Sequence, residues 1–267
     1  MTKTNCFVIG LIPKTKCLKT VFILFIFFVQ AFFSGAQEKE STKVLFFDGN
    51  ISATNNGISL IPSFSLGKPA LVFEFSMGGE RLHFDPQLRF SMKAKPWSFV
   101  FWWRYKLYET QKFRMDIGAH PAFLFADISY QKDGRSFESI ETRRYLAAEI
   151  APTFQLTEKI AIKPYYLTAH GFDEGVSNSH YLSLRGSVSN LRITKHVEAG
   201  FTPQVFFLKM DQETGYYFAS GFSLKSDKTP FSLGAMINKK IESEIASKDF
   251  LWNVSLVYSF GNEYVKK

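Results

Sequence analysis

Residues 82–92, Leu-His-Phe-Asp-Pro-Gln-Leu-Arg-Phe-Ser-Met, decide the fold of this chain. Every second residue from Leu82 to Met92 is apolar, and the residues between them are polar or charged. Because successive side chains of a β-strand point to opposite faces, this stretch predicts a strand with one apolar and one charged face. The same alternation recurs about a dozen times along the chain, which predicts an all-β protein.

The N-terminus has the pattern of a secretory signal peptide. Four lysines precede the first acidic residue, Glu38, an apolar run covers Val21 to Val29, and the small residues Ser34 and Ala36 follow. A basic region, a short apolar region and a small-residue site define such a peptide. We therefore predict a signal peptide over 1–36, cleaved near Ala36. The alternative is a membrane anchor, but the apolar run is shorter than the ~20 residues of a spanning helix.

Removal of this peptide changes the composition of the chain. The remaining 231 residues carry a net charge of +4 instead of +8, and both cysteines, Cys6 and Cys17, are lost. A chain without cysteine has neither a disulfide nor a cysteine metal site. Since no Lys/Arg-rich run remains, we expect no nucleic-acid partner. We also expect no metal and no cofactor, because no metal-ligand or phosphate-loop motif is present.

Twelve antiparallel strands are predicted, and the domain limits follow from them. We expect a periplasmic leader or plug segment over 37–56, the barrel over 57–260 and a C-terminal tail over 261–267. The strands are expected near 57–66, 70–77, 81–92, 97–108, 112–126, 141–156, 159–170, 180–193, 196–209, 215–225, 230–241 and 248–260.

Alternation alone does not say whether the apolar face is a core or a lipid-facing surface. An even strand count and links of alternating length favour a transmembrane β-barrel. Long links are expected near 131–140, 173–179 and 242–247, all on one side of the membrane. Aromatic residues near the strand ends indicate an aromatic girdle at the membrane–water interfaces. These residues are Trp97, Tyr105, Tyr108, Tyr130, Tyr181, Tyr216 and Tyr258.

In these features the chain resembles the outer-membrane β-barrel proteins of Gram-negative bacteria, in the porin-like class. The stretch Phe250 to Phe260 is similar to the aromatic-rich last strand that the barrel-assembly machinery recognises in that class. The resemblance implies an outer-membrane location, with membrane lipid and the assembly machinery as partners. The chain departs from the class because Gly261 to Lys267 continue beyond the terminal aromatic residue.

The polar faces of the strands predict a charged lumen. Glu74, Arg89 and Arg104 lie on three successive strands and are expected to form a ladder if the register allows. Such a lumen is either a polar pore or a salt-bridged interior that stabilises a narrow barrel. The residues expected to line it are Glu74, Asp85, Arg89, Arg104, Lys106, Arg114, Asp116, His120, Glu149, Lys163, Arg185 and Glu198.

The sequence contains no clear motif of a catalytic site. Ser179 and His180 adjoin Asp173, but neighbours on a strand point to opposite faces, and no Gly-x-Ser-x-Gly elbow is present. His120 precedes Pro121 and is expected to mark a bulge or a lumen hydrogen bond. We therefore expect a non-enzymatic protein: a passive channel for small polar solutes, or a structural barrel. The alternatives are a membrane-embedded lipid hydrolase and a secreted soluble β-barrel binding protein.

Overall fold

The computed structural model describes residues 44–132 and 135–265; the predicted signal peptide and its cleavage site near Ala36 lie outside these residues. The described chain consists of twelve strands and one 3-10 turn. The strands are β1 (Val44–Thr54), β2 (Ala70–Gly78), β3 (Leu82–Ser91), β4 (Pro96–Glu109), β5 (Phe113–Lys132), β6 (Arg135–Gln155), β7 (Ile160–Gly171), β8 (Asn178–Thr194), β9 (Val197–Met210), β10 (Glu213–Ser226), β11 (Phe231–Ser243) and β12 (Phe250–Val265), and the 3-10 turn is Pro62–Phe64.

The twelve strands form one closed barrel in which each strand pairs with its neighbours in the chain. Every pairing is antiparallel, and β1 closes the barrel on β12. The predicted fold, an all-β antiparallel barrel of twelve strands, is confirmed. In the described part of the chain, no helix has the length and apolarity needed to cross a membrane. We call the end where β1 begins and β12 ends the proximal end, and the opposite end the distal end.

The first strand is not where the sequence predicts it. Val44–Thr54, placed by us in a leader or plug segment, is β1 and pairs with both β12 and β2. Its central Asp48-Gly49-Asn50 has the composition of a turn, which hides the strand. The neighbouring strands supply what β1 lacks, because the ring of Phe260 lies over Gly49 and fills the space of the missing side chain.

Residues 57–66, predicted as a strand, instead belong to a loop that we call the lumen loop (residues 55–69). Two apolar neighbours in it, Ile61 and Pro62, are both buried, which a strand with one exposed face does not allow. The loop closes on itself: the amide of Gly57 donates to the carbonyl of Lys68, at 2.8 Å. The plug of this barrel is therefore a loop between β1 and β2, and the predicted barrel start at residue 57 is wrong.

The C-terminal boundary also differs. Residues 261–265, assigned to a tail, continue β12 and pair with the first residues of β1, with Gly261 opposite Asp48 and Asn262 opposite Phe47. Phe260 is consequently an internal residue of the last strand. The strand runs on because β1 begins earlier than predicted and offers a partner to each of these residues.

The outer surface of the barrel is an apolar belt. Many large apolar side chains at the outward positions expose about half of their surface, as do Trp103 (52%), Leu182 (54%) and Leu256 (51%). A soluble domain would bury these groups, whereas a lipid-facing barrel presents them. Four of the predicted girdle aromatics lie on this surface: Tyr105, Tyr108, Tyr216 and Tyr258. Tyr130 is exposed too, but the β5–β6 register places it on the same face of β5 as the lumen-facing His120. Trp97 (4% exposed) and Tyr181 (0%) instead point inward and are not part of a girdle.

Along β7 to β10, the distal half of the lumen is packed with apolar side chains. Tyr181, Leu208 and Tyr217 are at most 1% exposed, and Ile61 of the lumen loop packs into the same cluster. The stacked rings of Phe206 and Tyr217, 4.9 Å apart, belong to it as well. The barrel thus has a true core inside its distal half, in addition to the apolar belt outside.

The proximal half is lined differently along β9 to β12. The inward positions there carry small residues, among them Gly200, Gly221, Gly234 and Ser255, and Met236 is 38% exposed although it faces the lumen. Small side chains leave the interior of a barrel accessible to water. This half of the lumen is therefore open.

Candidate functional site

A central cavity of about 420 Å³ lies between the lumen loop and the inner wall of β3 to β8. This volume is in the range of ~300–1,000 Å³ that is typical of small-molecule sites. Eight of the residues predicted to face the lumen line it: Arg89, Arg104, Arg114, Asp116, His120, Glu149, Lys163 and Arg185.

Arg104 is the centre of a buried ionic network. Its Nε donates to Oε1 of Glu149 at 2.6 Å, and its Nη1 donates to Oδ2 of Asp85 at 2.9 Å. The Tyr165 hydroxyl donates to the second Glu149 oxygen, and the Ser76 hydroxyl to the second Asp85 oxygen, each at 2.5 Å. A buried carboxylate is tolerated only when paired and hydrogen-bonded. All four oxygens of the two carboxylates are satisfied, so the network is rigid.

The predicted ladder of Glu74, Arg89 and Arg104 does not form. The register places Glu74 opposite Gln87, and Arg89 opposite Val72 and Ser98. Glu74 is thus diagonal to Arg89, whose guanidinium donates to Gln87 at 2.8 Å instead. The ladder does not form because the register, which the alternation alone does not fix, offsets Glu74 from Arg89 by two residues and places Arg104 opposite His83, six residues from Arg89.

A stack of three side chains borders the network. The Arg104 guanidinium lies 4.2 Å from the centre of the Trp102 ring, and the His120 ring lies 3.9 Å from the same ring. His120 is 7% exposed, and within the described residues its Nδ1 has no hydrogen-bond partner. The hydroxyl of Ser98, also on the cavity wall, is buried and equally without a partner there. Buried polar atoms normally have partners, so these two atoms have unused hydrogen-bonding capacity in the cavity wall.

His120 sits in a regular part of β5. The pairing of β5 with β6 passes through His120 and Pro121 without a register shift, with Ala147 opposite His120. The alternative of a bulge at this position is therefore wrong. The side chain points into the lumen, and its ring packs against the ring of Trp102.

The proximal end of the cavity carries three cations, on β5, β7 and β8. Lys163 lies directly opposite Arg185 in the β7–β8 register, and Arg114 lies opposite Thr153 in the β5–β6 register. Arg114 pairs with Asp116 at 2.7 Å, and Arg185 donates to the amide oxygen of Gln204 at 2.8 Å.

Lys163 differs from the other two cations. Its ammonium group has no hydrogen bond and no ion pair within the part of the chain that the structure describes. The charged groups that act on it electrostatically are Arg185 and Arg114, both of its own sign. Like charges directly opposite each other on a sheet are destabilising, so this end of the cavity has uncompensated positive charge.

The remaining predicted lumen residues lie outside this cavity. Lys106 pairs with Glu109 at 2.6 Å near the proximal end of β4. Glu198 is on β9, opposite Arg192 and the lumen-facing Lys225, away from the cluster on β3 to β8. The interior is thus divided into a charged wall and a sparsely charged one.

Ser179 and His180 are not brought together. Both belong to β8 rather than to an outer loop: Ser179 is buried and lines the central cavity, whereas His180 faces outward and contacts the Tyr166 hydroxyl at 2.8 Å. Asp173 binds Arg144 at the distal rim. In the described residues, no group of three or more His, Cys, Asp or Glu side chains is placed to hold a metal ion.

A second, larger cavity of about 880 Å³ lies distal to the first. Its wall is formed by the lumen loop, by the link between β3 and β4, and by the distal parts of β5 and β6. The two cavities share Phe64, Leu124 and Tyr145 as lining residues. The rings of Phe64 and Tyr145 are 5.8 Å apart, so a thin apolar partition separates the two spaces.

Several of these residues were missed by sequence reasoning. Trp102 shares the inward parity of Arg104, so the alternation could have identified it, but its size and apolarity suggested the outer face. Tyr165 lies two residues from the predicted Lys163 and therefore points to the same face of β7. It was overlooked because its side chain is also large and mostly apolar. Phe64 was not accessible to such reasoning, because only the folded lumen loop carries it into the barrel.

The comparisons with known proteins agree in fold alone. No protein-family model and no curated protein sequence matches the chain. The outer-membrane channel from Pseudomonas putida F1 is similar over 85% of this chain and 98% of its own, at 14% identity and a TM-score of 0.46. LpxR from Salmonella typhimurium is similar over 80% of this chain and 99% of its own, at 10% identity and a TM-score of 0.48. The KdgM porin, in complex with disordered oligogalacturonate, is similar over 80% of this chain and 99% of its own, at 11% identity and a TM-score of 0.46.

Proposed function

We propose that this protein is an outer-membrane channel for small polar solutes, constricted by its lumen loop. The observation that carries this proposal is the alignment of two cavities with charged side chains in their walls, which are separated only by the partition of Phe64, Leu124 and Tyr145. Below the central cavity, the small residues of β9 to β12 leave the proximal lumen open. A solute would pass from the distal cavity, past the partition, to the charged cavity and the proximal opening.

The partition supports a gated rather than a permanently open path. The part of the lumen loop around Phe64 is held to the wall by two side-chain hydrogen bonds, from Trp97 Nε1 to the Phe64 carbonyl at 2.9 Å and from the Ser63 hydroxyl to Met210 Sδ at 3.4 Å. The other hydrogen bonds from the loop to the wall are at its two ends. A loop fixed by few bonds moves at lower cost than a strand with a full ladder. Apolar constrictions gate by excluding water, so displacement of Phe64 would join the two cavities.

The apolar belt supports an outer-membrane location. A closed barrel satisfies all backbone groups internally, which the hydrocarbon region of a membrane requires. Outer-membrane lipid and the barrel-assembly machinery are the partners that follow, with both termini in the periplasm. The signal peptide predicted over 1–36 would direct the chain to the envelope.

Single-channel conductance in planar bilayers tests the proposal. The refolded wild-type chain should give small, fluctuating current steps, and Phe64→Ala should raise the conductance, because the partition then loses one of its rings. Tyr145→Ala should act in the same direction. Phe222→Ala removes an outward-facing ring of the same kind (47% exposed) and should leave the conductance at the wild-type value.

Lack of current steps above the lipid baseline in both wild type and Phe64→Ala would reject the channel and leave a structural barrel. A catalytic role is not proposed, and support for this choice comes from the opposite orientations of Ser179 and His180. The alternative of a lipid hydrolase would be supported if the wild type released fatty acid from lipid and if His120→Ala or His180→Ala abolished this release.

A further inference from the structure

We infer that the central cavity binds a small organic anion with an apolar body, and that this anion is the solute of the proposed channel. The inference rests on the proposed function for its physiological meaning, but the binding itself can be measured without any transport. Its basis is the juxtaposition of the Lys163–Arg185 pair with an apolar wall and two unpartnered polar atoms in one cavity.

The charge balance of the cavity favours an anion. Five cationic side chains line it, Arg89, Arg104, Arg114, Lys163 and Arg185, against two carboxylates, Asp116 and Glu149. The carboxylates are engaged, Asp116 by Arg114 and Glu149 by Arg104. Glu74 acts electrostatically on Arg89, but Lys163 and Arg185 are left without a carboxylate partner in the described part of the barrel, and a bound anion would supply the missing charge.

The Lys163–Arg185 pair has the geometry for an anionic head group. Side chains directly opposite on antiparallel strands have Cβ atoms about 5 Å apart, so one carboxylate or phosphate can contact both cations. Arg185 uses its Nε on Gln204, and Gln204 in turn donates to the Tyr181 hydroxyl at 3.1 Å. These bonds fix the guanidinium and leave its terminal nitrogens free of bonds to described residues. Guanidinium groups bind planar carboxylates with two parallel hydrogen bonds.

The rest of the cavity selects an apolar body over a bare inorganic ion. Toward the distal side the wall consists of Leu60, Ile61, Val100, Trp102 and Leu167. Such a surface gains free energy when an apolar group displaces water from it. His120 Nδ1 and Ser98 Oγ, which are buried without partners, can each make one hydrogen bond to a polar substituent of the same molecule.

Equilibrium binding to the full, detergent-folded chain tests the inference. Trp102 lies in the cavity wall, so its fluorescence should respond to an occupant. Benzoate is the anionic probe, benzamide its neutral analogue of equal shape, and inorganic phosphate the anion without an apolar body. We expect saturable binding of benzoate, with benzamide and phosphate each weaker by about tenfold or more, since a charged hydrogen bond and an apolar group are both needed.

Two variants and a matched control locate the site. Lys163→Gln and Arg185→Gln should each weaken benzoate binding by about tenfold to a hundredfold. Lys225→Gln makes the same change of charge at a lumen-facing lysine outside the cavity and should bind as the wild type does. Equal binding of benzoate and benzamide, tight binding of phosphate alone, or an equal loss in all three variants would overturn the inference.

The outcome is separable from that of the channel proposal. Benzoate binding without conductance would reject the channel and retain the anion site. Conductance without benzoate binding, in a protein that keeps its heat-modifiable gel mobility, would retain the channel and reject the anion site.

Discussion

At the scale of single residues, the interior depends on a few fully satisfied charges. Glu149 is the deepest of these, with a side chain that is 1% exposed and bonded to both Arg104 and Tyr165. Gly118 on the neighbouring strand leaves the room it needs, because a Cβ there would lie 2.8 Å from Glu149 Oε1. Glu149 therefore stabilises the barrel, whereas binding depends on the cavity groups that still lack hydrogen-bond partners.

Glu149→Ala should therefore destabilise the barrel strongly, by about 3–5 kcal/mol, because it leaves the buried Arg104 with one partner fewer and Tyr165 with none at its hydroxyl. The free energy of unfolding in urea, measured in lipid vesicles, checks this. Glu141→Ala is the matched control: it breaks the partly exposed pair with Arg143, which solvent screens, and should cost much less than Glu149→Ala. Equal costs in the two variants would contradict the role assigned to Glu149.

Asp173 provides a prediction on pH at the distal rim, outside the spanning strands. The Arg144 guanidinium and backbone amide both donate to its carboxylate, and they lower its pKa from 3.8 to about 2. A lowered pKa means that the bond stabilises the rim above the ordinary value near 4, and that this contribution is lost as the pH falls through about 2. A carboxyl NMR titration should show this midpoint, and Arg144→Met should return it toward 3.8. A midpoint that does not move in the variant would show that the arginine side chain is not the cause.

At the scale of elements, the seam between β1 and β12 closes the barrel. Gly49 faces Phe260 in the register, and the rings of Phe47 and Phe75 lie about 6 Å from Phe260 on the same outer face. The aromatic residue covers a glycine, which supports a strand that would otherwise be weak. The lumen loop follows β1 directly, so the position of this strand also sets the position of the partition.

Gly49→Ala should cost about 1–3 kcal/mol, because the added Cβ meets the Phe260 ring and either the ring or the strand must shift. Gly234→Ala is the control, since a Cβ there finds no atom closer than 3.9 Å. Unfolding in urea and the fraction of chain that resists dissociation in unheated gel samples are the two measurements. A loss of stability in Gly234→Ala as large as that in Gly49→Ala would argue against the seam as the weak point.

At the scale of the whole molecule, the barrel is apolar outside, charged on one inner wall and packed with apolar side chains in its distal half. Two apolar surfaces therefore coexist, the lumen core around Tyr181 and Leu208 and the belt around Leu256 and Trp252. Only a lipid environment removes the belt from water. This arrangement distinguishes the membrane barrel from the secreted soluble alternative.

Leu256→Arg tests the environment of the belt. Near the middle of β12, a cation on the lipid face should cost about 2–4 kcal/mol. Ser255→Arg, on the lumen side of the same strand, should cost much less because the proximal lumen is open to water. Unfolding in vesicles measures both. If the two substitutions cost the same, or if the chain is recovered in the soluble periplasmic fraction, the membrane assignment fails.

The sequence alone determined the fold class, eleven of the twelve strands and the face of each strand on which the charged residues lie, because a period of two residues follows from strand geometry and needs no partner. It did not locate β1 or the lumen loop, since Asp48-Gly49-Asn50 reads as a turn and Ile58 to Phe64 reads as a strand until their neighbours are known. The placement of Glu74 away from Arg104, and of Lys163 beside Arg185, was decided only by the register and by barrel closure. These are properties of strand pairs that are distant in sequence, and a local pattern carries no information about them.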